Sequence, residues 1–235
     1  MIKQKTGISV ILPAYNEEAN IWSVLNDALS YLKTLKDPWE IIVVDDGSKD
    51  DTGKIVSDFI KHHRRIRMIT HPQNIGYGRS LNDGFSAGIY PYVFFTDADR
   101  QFDLKALDVM WPIAKTGVID LVIGYRLNRK DPLSRRILSR LYNILADVLF
   151  DLDVKDIDCA FKIFKKDIFK KIKIEDNHFF VNTEILAKAR HFRYKILEVG
   201  VPHFPRKAGK SNVSFKYVPL TIRQLLRIKR TIKKL

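Results

Sequence analysis

The sequence predicts an α/β fold, with a mostly parallel sheet and helices on both of its faces. Short apolar, β-branched runs recur through the first half of the chain, each bounded by turn residues. Segments with helical apolar spacing lie between them, and such alternation builds parallel sheets covered on both sides. Three of the runs end abruptly in polar clusters, as strands do when they open onto a ligand crevice.

The elements follow in order. Residues 8–12 form a buried strand closed by Pro13. Asn16, Glu17 and Glu18 open a helix that carries Ile21, Leu25, Ala28, Leu29 and Leu32 on one face. Asp37-Pro38 breaks it, and residues 40–44 are a second buried strand. After the turn at Asp45-Asp46-Gly47-Ser48, the residues Asp50, Asp51 and Thr52 cap a helix bearing Ile55, Phe59 and Ile60. A strand over 66–70, a glycine turn through Gly76 and Gly78, and a helix ending near Ala87 come next. Residues 92–96 are a strand delivering Asp97-Ala98-Asp99, and 121–124 are another. A basic stretch from Arg126 to Arg140 then precedes an apolar helix over 141–150. A helix over 182–191, a strand over 195–199 and a basic tail complete the chain, with no acidic residue after Glu198.

Composition narrows the class. The chain has 235 residues, 46% hydrophobic and 29% charged, which suits a globular fold with a sizeable core. We divide it into a domain over 1–215 and a basic amphipathic helix over 216–235. In that helix Ile222, Leu225, Ile228, Ile232 and Leu235 recur at helical spacing among Arg223, Arg227, Lys229, Arg230, Lys233 and Lys234. Packing on its own domain and docking on an anionic membrane surface both fit this pattern, and docking is the expectation. The net charge of +14 points to anionic partners. The single Cys159 allows no internal disulfide. No run of apolar residues reaches the ~20 needed to span a bilayer, so the expected location is cytoplasmic, peripheral at the membrane's cytoplasmic face.

Nucleic acid is not an expected partner: the chain carries no helix–turn–helix, RNA-recognition or zinc signature, and its carboxylate clusters would repel phosphate. Leu81 stands where a dinucleotide fingerprint needs its third glycine. The six histidines show no metal-ligand spacing. The carboxylates suggest different chemistry. An acidic pair after a wholly apolar strand is costly unless a cation or hydrogen bonds offset the repulsion. A hard divalent cation between Asp97, Asp99 and the phosphates of a sugar nucleotide would stabilise the departing diphosphate, with Gln101 offering a further oxygen. Asp97 and Asp99 stand two residues, about 7 Å, apart along an extended chain, so a bend is needed for both to approach one ion. Asp46 is placed to accept hydrogen bonds from a base or ribose, and Tyr15 to cover the base.

Residues 10–17 (VILPAYNE), 43–48 (VVDDGS), 74–78 (NIGYG) and 97–101 (DADRQ) resemble glycosyltransferase family 2, whose fold is GT-A, a Rossmann-like sheet. Within it the chain is most similar to the dolichyl- and polyprenyl-phosphate mannose and glucose synthases. The resemblance implies that Pro13, Tyr15, Glu17, Val44 and Asp46 line a nucleotide-sugar pocket with Asp97, Ala98 and Asp99, and that Asp97, Asp99 and Gln101 hold Mg2+ or Mn2+. It implies that Arg126, Arg135 and Ser139 hold the phosphate of a polyprenyl or dolichyl acceptor. Residues 203–211 (HFPRKAGKS) match a loop that closes over the diphosphate, which assigns Arg206 and Lys210 to the donor. Asp99, Arg126 and Arg206 are the implied catalytic residues. Residues 158–162 (DCAFK) depart from the serine-glycine-phenylalanine-arginine usual in the synthases. The implied reaction is an inverting, metal-dependent transfer of a hexose from GDP-mannose or UDP-glucose. A phosphate acceptor is already ionised at neutral pH and needs no strong base. A saccharide hydroxyl would need one, and Asp158 is then the candidate. The oligomeric state is left open.

Overall fold

The computed structural model describes residues 6–129, 131–205 and 218–235. Seven strands form one sheet: β1 (Ile8–Ala14), β2 (Trp39–Asp45), β3 (Ile66–Thr70), β4 (Tyr92–Thr96), β5 (Leu121–Leu127), β6 (Phe161–Lys165) and β7 (Ile196–Pro202). Their spatial order is β3-β2-β1-β4-β6-β5-β7. All neighbours are parallel except β6, which runs antiparallel to both β4 and β5. The helices are α1 (Ile21–Leu32), α2 (Thr52–Ile60), α3 (Tyr77–Ala87), α4 (Leu107–Lys115), α5 (Leu133–Phe150), α6 (Val181–His191) and α7 (Val218–Ile232).

Alternation along each strand sorts the core into two layers. Val10, Leu12, Ile41 and Val43 face α1 and α4 on one side. Ile11, Ile42, Val44, Val93 and Phe95 face Leu81 and Phe85 of α3 and Ile185 of α6 on the other. The predicted class, a mostly parallel sheet with helices on both faces, is the observed one.

Several boundaries differ from expectation, each for a local reason. Pro13 stays inside β1: pairing with β4 ends at Ile11, so only β2 flanks the proline, opposite Val44. Asn16 has φ 54°, in the left-handed region, so α1 cannot begin there and starts at Ile21. Helix α5 begins at Leu133, directly after Pro132, well before the expected apolar stretch. Two elements were not expected from the sequence. Helix α4 contains Pro112, and β6 contains the fully buried Lys162.

Helix α7 packs on the domain. Leu225 and Ile228 are buried, Ile228 within the layer that holds α6, and Ile232 lies partly against it. The middle of its apolar stripe therefore faces protein, while Arg223, Arg227 and Arg230 stay exposed. Among the described residues, no helix is long and apolar enough to cross a membrane.

Candidate active site

The chain leaves β1 in one direction towards β2 and returns on the other side as β4. This switch in strand order opens a crevice at the carboxyl ends of β1 and β4. The polar clusters at residues 15–17, 45–48 and 97–101 all lie on that edge.

The first two clusters are laced together by hydrogen bonds. The Asn16 amide donates to Ser48 Oγ at 2.9 Å, and the Lys49 amide donates back to Asn16 Oδ1 at 2.8 Å. The Glu17 amide donates to Thr52 Oγ1 at 2.8 Å, and Asn20 Nδ2 to Glu17 Oε2 at 2.7 Å. Asp45 accepts from the Ser48 amide and so closes its own turn. Pro13 and Val44 are buried beneath this edge, while Tyr15 is exposed above it.

Asp46 is 3% exposed, and the protein itself occupies its carboxylate. The carboxylate accepts from the Ile75 and Gly76 amides, both at 2.9 Å, and faces His71 Nδ1 at 2.8 Å. His71 Nε2 lies 3.2 Å from Asp83. Asp46 therefore anchors the glycine turn, whichever ligand groups also meet it.

At the end of β4 the chain turns through Ala98 and Asp99, and Arg100 takes φ 62°. The chain therefore does bend between the strand end and Gln101. Tyr77 donates its hydroxyl to Asp97 Oδ1 at 2.8 Å, and the Gln101 amide donates to Asp99 Oδ1 at 3.0 Å. Gln101 Nε2 meets His203 Nε2 at 3.2 Å and the Phe204 carbonyl at 3.3 Å. The Phe204 amide returns to the Gln101 carbonyl at 2.9 Å. The segment leaving β7 is thus tied to the carboxylate turn just before Arg206 and Lys210, which lie outside the described residues.

These groups fit a small, hard divalent ion. The turn offers carboxylate oxygens, which Mg2+ and Mn2+ prefer over nitrogen and sulfur. Among the described residues, no three His, Cys, Asp or Glu side chains converge as a closed cage. Two carboxylates with the rest of the shell from phosphate and water is the usual arrangement for Mg2+ bound with a nucleotide.

Since β6 is reversed, the loop entering it reaches the same edge. There Asp156 receives both Arg126 Nε and Nη2 at 2.7 Å, with side chains only 6% and 7% exposed. Burial alone would raise the Asp156 carboxyl, but Arg126 holds it below the ordinary range. Asp131 is likewise pushed up by burial and held low by Arg129 and Arg135, at 2.9 and 3.2 Å, with Arg126 at 3.9 Å. Arg129 Nη1 also donates to Ser139 Oγ at 2.9 Å. Arg126, Arg135 and Ser139 therefore do come together, around acidic partners that sequence reading missed. Asp158, on the loop entering β6, is solvent-exposed but closely surrounded by protein atoms. Burial, then Asp156, raises its carboxyl above the usual range. Fully buried Lys162 donates to the carbonyls of Ile157 and Cys159 on either side of it. Two shallow grooves of about 670 and 640 Å3 lie elsewhere and contain none of these residues.

Comparison with known proteins agrees with this architecture. The profile described as glycosyl transferase family 2 matches residues 9–173. Glycosyltransferase AglD of Haloferax volcanii is 30% identical over 85% of this chain and 33% of its own length. The dolichyl-phosphate beta-glucosyltransferase of Dictyostelium discoideum is 35% identical over 83% of this chain and 65% of its own. The chain thus spans between a third and two thirds of these two relatives. Glucosyl-3-phosphoglycerate synthase from Mycobacterium tuberculosis, solved with Mn2+, uridine diphosphate and glucosyl-3-phosphoglycerate, shares the fold, with a TM-score of 0.74 at 21% identity over 97% of this chain and 80% of that one. With 165 consecutive positions fitting one profile, and its motifs gathered at a single sheet edge, the chain belongs to glycosyltransferase family 2.

Proposed function

We propose that this protein transfers a hexose from a nucleoside diphosphate sugar to a polyprenyl phosphate, with inversion at the anomeric carbon. The observation that carries the reading is a carboxylate turn, Asp97–Asp99, on the same sheet edge as the arginine cluster of Arg126, Arg129 and Arg135. One part suits a diphosphate with its cation, and the other an anionic acceptor. Names of relatives support the acceptor class: a dolichyl-phosphate beta-glucosyltransferase, and an undecaprenyl-phosphate 4-deoxy-4-formamido-L-arabinose transferase of Pectobacterium atrosepticum that is 28% identical.

In this reading Tyr15, Glu17 and the edge above Val44 receive the nucleotide, with Asp46 shaping the turn beside it. Asp97, Asp99 and Gln101 hold the divalent ion, which neutralises charge on the departing diphosphate. An acceptor phosphate oxygen attacks the anomeric carbon as the bond to the diphosphate oxygen breaks, and the bonding pair leaves with the diphosphate. No proton has to be removed, so orientation and charge provide the rate. Since Arg126 is committed to Asp156, and Arg129 to Asp131 and Ser139, the more exposed Arg135 is the favoured acceptor ligand. Arg206 and Lys210 are assigned to the diphosphate.

A second reading, transfer to a saccharide hydroxyl, draws on one observation: Asp158 lies on the loop entering β6, at the same sheet edge, with its carboxyl raised above the ordinary range.

We place the protein on the cytoplasmic face of the bilayer. Leu133, Ile137, Leu141, Ile144 and Val148 form an exposed apolar stripe along α5, beside Arg136 and Arg140, and α7 adds exposed Ile222 and Leu226 among its basic residues. Each basic residue near an anionic surface is worth about 1 kcal/mol. Incubation with a panel of radiolabelled GDP- and UDP-sugars and vesicles containing polyprenyl phosphate tests the whole reading. Label should enter the lipid fraction. Transfer only to soluble saccharides would replace it with the hydroxyl reading.

A further inference from the structure

We propose that Tyr77 is a positioning residue for Asp97: it fixes the direction of that carboxylate towards the divalent ion without cancelling its charge. The proposal rests on the reading that Asp97 and Asp99 hold such an ion. The hydroxyl of Tyr77 donates to Asp97 Oδ1 at 2.8 Å. A lysine or protonated histidine in the same place would also orient the carboxylate, but its positive charge would oppose the ion's. A phenol is a neutral donor.

The tyrosine is itself held from several sides. It opens α3 directly after Gly76, whose φ of 112° favours glycine. The Ile75 and Gly76 amides end on the buried Asp46 carboxylate, which His71 steadies. A Cβ on Gly76 would lie 2.1 Å from the Asn177 carbonyl oxygen, and one on Gly78 would lie 2.2 Å from that of Asp176. The Arg79 amide bonds the Asn177 carbonyl at 3.2 Å. On the outer side Phe179 stacks on the tyrosine ring at 6.4 Å between centroids. A residue gripped this closely and aimed at one carboxylate oxygen is the outer support that ligating carboxylates require. Asp46 then acts on the ion site at one remove, through the turn that carries Tyr77.

The experiment titrates Mn2+ into the chain with saturating UDP or GDP, reading free Mn2+ by electron paramagnetic resonance. Tyr77→Phe keeps the ring and deletes the donor, and it should weaken Mn2+ binding about 10- to 100-fold, the usual loss for an outer-shell partner. Phe179→Ala removes one of several supports of the ring but not the donor, and it should weaken Mn2+ binding far less than Tyr77→Phe. Wild-type protein that binds no Mn2+ overturns the metal reading itself. Wild-type binding with an equal affinity in Tyr77→Phe overturns only the positioning role. An equal loss in Phe179→Ala would assign the effect to packing and overturn it as well.

Discussion

Removing the carboxylate of Asp156 should destabilise the protein more than most single changes. Asp156→Ala leaves the Arg126 guanidinium buried without the partner that takes two of its N–H groups at 2.7 Å. Breaking a buried pair in this way costs about 3–5 kcal/mol. Asp131 lies 3.9 Å from Arg126 and offers partial compensation, which places the expected loss near ~3 kcal/mol. For a chain of this length each kcal/mol shifts the melting temperature by about 2–4 °C, so a fall of roughly 6–12 °C is expected at pH 7. The pH dependence has a definite sign. The folded-state value of Asp156 is depressed, so its contribution is present above the ordinary carboxylate range and disappears as pH falls through the lower folded value. The gap between wild type and variant should therefore begin to narrow below about pH 4 and close only below the depressed folded value. Asp156→Leu combined with Arg126→Met, which removes both charges, should recover more than half of the loss. Urea unfolding and calorimetry across pH 3–8 give all of these quantities. An Asp156→Ala variant within 1 kcal/mol of wild type at pH 7 would refute the reasoning.

Three further outcomes are expected. Asp99→Asn should lower transfer at least ~100-fold with the melting temperature little changed, and a variant that transfers at wild-type rate in excess chelator would remove the ion from the reaction. Asp158→Asn should be more stable than wild type at pH 7–8, because the folded surroundings disfavour the ionised carboxyl; the advantage should shrink as pH falls through the raised folded value and vanish below about pH 4. Leu141→Glu, on the exposed face of α5, should reduce sedimentation with anionic vesicles while sugar-nucleotide affinity is kept, and unchanged sedimentation would move the docking surface elsewhere.

The parts of the fold legible in the sequence were those where burial is complete and the side chains are purely apolar. Strands β1, β2 and β4 read clearly because each is a mostly apolar run that closes on a polar cluster. Strand β6 did not, because Lys162 lies inside it; this ammonium is buried only because backbone carbonyls receive it, and the sequence gives no sign of that contact. Helix α4 was hidden by Pro112, tolerated within its nine residues. For α7 the apolar spacing revealed a stripe, but periodicity does not say whether protein or lipid covers it. The carboxylate turn was legible as motif, and the support around it was not. Tyr77, His71 and Asp156 meet their partners across the tertiary structure, and Asp156 lies 30 positions from Arg126 with no local pattern linking them.

The reversed strand also bears on how the chain is made. When β5 leaves the ribosome it has no ladder to join, because β4 is not its neighbour and both partners, β6 and β7, come later in the sequence. Until β6 inserts between β4 and β5, the run Leu121-Val122-Ile123 has unpaired backbone on both edges, and the emerging α5 presents apolar side chains beside it. Pairing across such sequence separations is slow, and bare apolar edges invite association between nascent chains. Chains stopped before β7 should therefore form inclusion bodies, while the first four strands, each with a partner among the four, should collapse early into an ordered half-sheet.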